Sequence, residues 1–133
     1  MISHAAVLFA NEVFYHAFRT RDLEAMDGIW AREASVAVVH PGWTALTERG
    51  AVMESWRGIL SSARSPDIAF RNPEAFIYGN TALVVCYEEI GGSFLVATNV
   101  FVLERGQWKM VHHQAGPCNA LPPDEVVEQD TRQ

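Results

Sequence analysis

The chain is poor in cysteine, with only Cys86 and Cys118 among 133 residues. A domain of this length buries roughly two thirds of the surface its unfolded chain exposes, so it can hold a core without staples. Two cysteines therefore make no disulfide framework. No Cys-x-x-Cys pair occurs, which leaves out a zinc ribbon and a dithiol redox motif. Cys86 lies in an apolar run and reads as a small buried hydrophobe, whereas Cys118 lies in a Gly-Pro-Cys-Asn turn. Basic residues are scarce too: ten against sixteen acidic ones, for a formal net charge of −6. No basic stripe exists to neutralise phosphates, so nucleic acid is not an expected partner. The apolar stretch from Met1 to Ala10 has no basic flank and is cut by Asn11-Glu12. It is too short for a signal peptide or a membrane span, so no membrane partner is expected and the expected location is cytoplasmic. There is no glycine-rich phosphate loop, since Gly91-Gly92 falls in a hairpin, and no Gly-x-Ser-x-Gly elbow. Covalent catalysis is unsupported, and no cofactor is expected.

What is present is a globular composition, 49% hydrophobic and 20% charged. Part of the acidity is local: Asp124, Glu125, Glu128 and Asp130 follow Pro122-Pro123. The expected organisation is one domain over residues 1–117 and an acidic tail over 118–133. Ser3 can cap a helix running to about Thr20, with Val7, Ala10, Phe14, Ala17 and Phe18 at helical spacing. Asp22 reads as the cap of a second helix that presents Leu23, Met26, Ile29 and Trp30. Ala34 to His40 is short and β-branched, hence a strand stopped by Pro41-Gly42. Thr47 to Ser62 reads as a third helix, with Val52, Met53, Trp56, Ile59 and Leu60 on one face. After Pro66 the period becomes two. Ile68 to Arg71 and Ala75 to Tyr78 are strand pieces broken by Asn72-Pro73, which implies an edge or a bulge. Thr81 to Ile90, Ser93 to Glu104 and Gln107 to Gln114 form an antiparallel meander. Helices first and strands after is the α+β order, three N-terminal helices packed on a curved antiparallel sheet.

Strand parity predicts the faces. Ala97, Asn99, Phe101 and Leu103 share one face, and Val96, Thr98, Val100 and Val102 the other. Tyr87 and Glu89 share a parity and are expected near Asn99, with Glu88 on the outer face. His113 is expected to face inward and His112 outward. Both faces of the sheet carry apolar residues, and an apolar outer face predicts a covering second subunit, hence a homodimer.

Several segments together resemble a family. Val38-Val39-His40-Pro41-Gly42-Trp43 leads into a helix with Ser55-Trp56, followed by Ala97-Thr98-Asn99-Val100-Phe101 and Trp108-Lys109-Met110-Val111-His112-His113. The series resembles the SnoaL-like proteins of the nuclear-transport-factor-2-like superfamily. It is also similar to the association domain of calcium/calmodulin-dependent protein kinase II. The resemblance runs from about Ala5 to Pro117. It implies a cystatin-like, cone-shaped roll whose helices and curved sheet enclose a cavity, with dimers formed across the sheet. The superfamily holds isomerases, cyclases, dehydratases, carriers and assembly modules, so the fold does not choose among them. The kinase domain's pocket arginines correspond to Glu89, Asn99 and Ala115, none of them basic, so its ligand preference does not carry over.

The candidate acid–base groups are His40, His113 and Glu89. Two of them have a plain structural alternative: His40 can pin the turn before Pro41-Gly42, and Glu89 can be solvated at its strand end. Phe14, Phe18, Trp43, Trp56, Tyr87 and Asn99 are the candidate ligand-binding residues. For Trp56 plain core packing is the favoured reading, since buried aromatics dominate cores. Asn99, a lone amide on an apolar face, needs a side chain, a water or a ligand as partner. His112-His113 cannot readily chelate one ion from opposite faces, so no metal is expected. The leading expectation is a pocket for a small, mostly neutral organic molecule. The alternatives are an isomerase, cyclase or dehydratase that moves a proton next to a carbonyl, and a dimeric assembly module. The ketosteroid isomerase set of a base with a tyrosine and a protonated aspartate cannot be matched residue by residue.

Overall fold

A computed structural model describes residues 3–65, 67–120 and 122. Apart from 118–120 and 122, the acidic tail lies outside the described residues. Helix α1 spans His4–Thr20, α2 Leu23–Ile29 and α3 Arg49–Ser61. The strands are β1 Ala37–Val39, β2 Ile68–Tyr78, β3 Thr81–Ile90, β4 Ser93–Glu104 and β5 Gln107–Pro117. They form one sheet in the order β1-β5-β4-β3-β2. Neighbours from β2 to β5 are antiparallel, and β1 adds a short parallel edge to β5. The α+β class and the helix-then-strand order are as the sequence predicts. No helix among the described residues is long and apolar enough to cross a membrane.

Local chemistry sets the element ends. Ser3 accepts a hydrogen bond from the Ala6 N–H at 3.1 Å and starts α1. Arg21, at φ 58°, closes it in a left-handed cap that donates to the Ala17 and Phe18 carbonyls. Asp22 then caps α2 through Ala25 N–H at 3.0 Å. The strand expected from Ala34 is shorter, because the amides before it are occupied elsewhere. The Glu104 carboxylate accepts from the N–H groups of Arg32, Glu33 and Ala34 at 3.1, 2.9 and 2.8 Å. The two strand pieces expected around Asn72-Pro73 are one edge strand, bent by a bulge between Arg71 and Glu74. There Asn72 takes φ 54°.

The core lies between α1, α3 and the sheet. Val7, Phe14, Met26, Trp30, Val52, Trp56, Val84, Phe101 and Met110 are fully buried in it. α1 packs across β2, β3 and β5, which sets its buried stripe over the centre of the sheet. Among the described residues, this stripe contains two polar members, Asn11 and Tyr15.

Candidate functional site

Asn11 and Tyr15 are four residues apart on α1, so they stand one above the other on its sheet-facing side. Val84, Cys86 and Glu88 alternate on the inner face of β3, as do Ala97, Asn99 and Phe101 on β4. The inner side chains of the two strands are matched by the register pairs Val84↔Asn99 and Cys86↔Ala97. On β5, His113 pairs with Asn99. Three strands and a helix thus bring five polar side chains together in an apolar core, each almost fully buried.

The hydrogen bonds form a chain. Asn99 Oδ1 lies 2.5 Å from His113 Nδ1. Its amide nitrogen donates to Asn11 Oδ1 at 2.8 Å and to the Tyr15 hydroxyl at 3.1 Å. The Tyr15 hydroxyl donates to Glu88 Oε2 at 2.6 Å and accepts from the Cys86 thiol at 3.4 Å. Because Asn99 Oδ1 can only accept, His113 carries its proton on Nδ1. That leaves the Nε2 lone pair 3.8 Å from Glu88 Oε2, too far for a hydrogen bond. A lone pair facing a carboxylate favours the protonated acid. Burial acts in the same direction and pushes the Glu88 carboxyl up to about 7, although the Tyr15 bond opposes it. Burial pushes His113 down to about 3, with neighbouring His40 adding to the effect. Tyr15 is raised well above its ordinary value, first by burial and then by Glu88. Two atoms of the cluster lack a strong partner: His113 Nε2, and the buried Asn11 amide nitrogen, which has no nitrogen or oxygen acceptor and only the Cys86 sulfur beside it.

His40 sits at the end of β1, buried, with Nε2 2.9 Å from Ser55 Oγ on α3. Ser55 donates its own proton to the Val52 carbonyl at 2.6 Å, so its oxygen accepts from His40. His40 is therefore the Nε2–H tautomer, opposite to His113. Burial holds its pKa down to about 4. Its ring is edge-on to Trp43 and Trp56, both 4.9 Å away, and 6.4 Å from the His113 ring. The turn expected to be pinned by His40 is closed by its backbone instead, since its carbonyl accepts from Trp43 N–H at 2.9 Å.

The residues singled out from the sequence divide into two groups. His40, His113, Asn99, Phe14, Phe18 and Trp56 meet inside: Phe14 lies 5.1 Å from His113, and Phe18 5.0 Å from Trp56. Trp43 is at the rim, 48% exposed. Tyr87 and Glu89 do not join them. They lie on the outer face, where Glu89 pairs with Arg71 at 3.2 Å. Their expected place near Asn99, and the outer place expected for Glu88, are corrected by the β3–β4 register. Ile90 pairs with Ser93 across Gly91-Gly92, so even positions of β3 face with odd positions of β4. That two-residue turn was a readable signal for Glu88. Asn11 and Tyr15 were also missed, although their spacing within the α1 stripe marks them. On β5 simple alternation also fails. Phe101 pairs with Met110 and Val100 with His112, so Val111 is an extra, bulged residue. The bulge turns both Met110 and His113 inward. His112 faces the other way and has Nδ1 3.0 Å from the Ala37 carbonyl.

A family model described as the SnoaL-like domain matches residues 7–118. An NTF2-like family structure from Streptomyces avermitilis, provisionally assigned as a dehydratase, is 30% identical with a TM-score of 0.80, covering 87% of this chain and 96% of its own. A structure from Thiobacillus denitrificans, provisionally assigned as a calcium/calmodulin-dependent protein kinase type II association domain, is also 30% identical. Its TM-score is 0.70, over 83% of this chain and 93% of its own. Among curated proteins, the F-box protein SKIP8 of Arabidopsis thaliana is 27% identical over 112 residues. That match takes in 83% of this chain but only 48% of the relative, so the chain spans about half the length of that protein.

Proposed function

From the premise that this chain belongs to the SnoaL-like domain family, with the NTF2-like fold, we propose that it binds a small, mostly neutral organic molecule between its helices and sheet. One observation carries this reading: the buried Asn11 amide donor, which has no nitrogen or oxygen acceptor and only the weak Cys86 sulfur beside it. An unpaired buried donor costs about 1–3 kcal/mol, and an acceptor on a ligand would remove that cost. The surroundings fit a neutral ligand. Both histidines are uncharged at neutral pH, and the nearest described residues offer no lysine or arginine to balance a buried anion. The aromatic rings of Phe14, Phe18 and Trp56 would supply the apolar contacts.

The test is a titration with a neutral cyclic ketone, 2-tetralone, followed through the side-chain amide signals of Asn11 and Asn99. Saturable shifts of both are expected. Shifts confined to surface residues at millimolar ketone would refute the interior site.

A second reading is favoured by Glu88, a carboxyl at about 7 beside a neutral histidine. Such a group can give and take a proton near neutrality, as an isomerase, cyclase or dehydratase acting next to a carbonyl requires. The Streptomyces relative's assignment points the same way. Exchange of the ketone's α-protons for deuterium, catalysed by the chain and lost in Glu88→Gln, would support it; equal exchange by the variant would sink it.

The proposed assembly is a homodimer across the outer sheet face. Phe76, Leu83 and Val100 lie side by side there, next to Val85 and Val96. Val84 and Cys86 are fully buried on the inner face and take no part in this patch.

A further inference from the structure

Between α3 and the loop after β1 runs a groove of about 430 Å³, walled by Trp43, Ser55, Gly58, Ile59 and Arg64 among others. That volume is within the range of small-molecule sites, about 300–1,000 Å³. Trp43 offers it a half-exposed ring. Gly58 is in the interior of α3, where glycine is roughly 1 kcal/mol worse than alanine. No packing demands it, since a Cβ there would meet nothing within 4 Å. Its effect is to leave the groove floor open.

The rim beyond α3 is held in place from another element. Arg21 donates to the Ser62 carbonyl at 3.1 Å and to the Ser65 carbonyl. Arg64, between them, has its backbone N–H bonded to Ser62 Oγ at 3.1 Å. Its guanidinium makes no ion pair with any described residue, whereas Glu54, the groove's acidic member, is paired with Arg57 at 3.4 Å. One uncompensated cation therefore remains on the rim. Ser55 has spent its proton on Val52 and accepts from His40, so it offers a ligand no donor. A negative group is thus disfavoured at the Ser55 end and favoured at the Arg64 end.

We propose that this groove is a binding site for a small aromatic anion, its ring against Trp43 over the Gly58 floor and its carboxylate toward Arg64. The proposal is independent of whether the interior admits a ligand. 2-Naphthoate and the neutral 2-naphthamide, titrated separately into the full chain, test it by amide and indole NMR shifts. Both should move the Trp43 indole N–H and backbone amides of residues 55–65, with naphthoate the tighter. Arg64→Gln should weaken naphthoate about two- to fivefold, as expected for one exposed ion pair, and leave naphthamide unchanged. Gly58→Leu, on an exposed helix face, should keep the fold and abolish both. The proposal is overturned if naphthoate leaves the groove signals unmoved at millimolar concentration, if Arg64→Gln weakens both probes alike or neither, or if folded Gly58→Leu binds as before.

Discussion

Replacing Glu88 by glutamine tests the buried network through its pH dependence. The carboxyl titrates at about 7 in the fold against 4.5 for its ordinary value. A group that binds its proton more tightly when folded stabilises the fold fully below the lower value. That stability is lost as pH rises through the higher one. The difference corresponds to about 3 kcal/mol, at 1.36 kcal/mol per pH unit, spread between pH 4.5 and 7. The histidines work in the opposite sense. His40 and His113 are held down to about 4 and 3, so their contribution is complete above 6.5 and is lost as pH falls below it. The raw profile of the natural chain mixes the two effects, but both variants share the histidines, so their difference isolates Glu88. Glutamine keeps an oxygen for the Tyr15 hydroxyl, now 2.6 Å from Glu88 Oε2, and cannot ionise. The assay is urea denaturation by circular dichroism at pH 4.5, 6 and 8. Relative to the natural chain, Glu88→Gln should gain about 3 kcal/mol between pH 4.5 and 8, or roughly 10 °C in Tm for a domain of this size. A difference that stays flat with pH would refute the assignment of Glu88 as a buried, protonated acid.

Trp56→Ala should destabilise the domain by about 3–5 kcal/mol in the same assay, because the ring is fully buried against Phe14, Phe18 and His40; an unchanged Tm would contradict that packing. Asn99→Leu would be mild if the amide stood alone. Since it bonds His113, Asn11 and Tyr15, the change should cost at least about 2 kcal/mol by leaving buried groups unpaired, and a cost under about 0.5 kcal/mol would mean that the network contributes little. Glu104→Ala removes the acceptor of three backbone N–H groups and should cost about 1–3 kcal/mol, with faster amide exchange at residues 32–34; unchanged exchange there would argue against the cap. Sedimentation of Val96→Asp at micromolar concentration should give a monomer where the natural chain gives a dimer, and a natural chain that sediments as a monomer would end the dimer proposal.

The sequence by itself determined the order of helices and strands, the caps at Ser3 and Asp22, and the meander from Thr81 onward. These depend on signals confined to a few neighbouring residues: cap side chains, glycine turns and hydrophobic period. It also put Asn99 and His113 on the inner side, and the register of the Gly91-Gly92 hairpin contained enough to add Glu88. Other features had no local signal. The bulge at Val111 is set by pairing with β4, and it brings Met110 and His113 to one face against simple alternation. The late start of β1 is decided by a carboxylate some seventy residues away in the chain, at Glu104. Above all, an amide on α1 reads as an interruption of an apolar run until the sheet beneath it is known. Only when the fold lays α1 over β3, β4 and β5 do Asn11 and Tyr15 meet Glu88, Asn99 and His113. A buried polar group is defined by its partners, and those partners come from four separate elements of the chain.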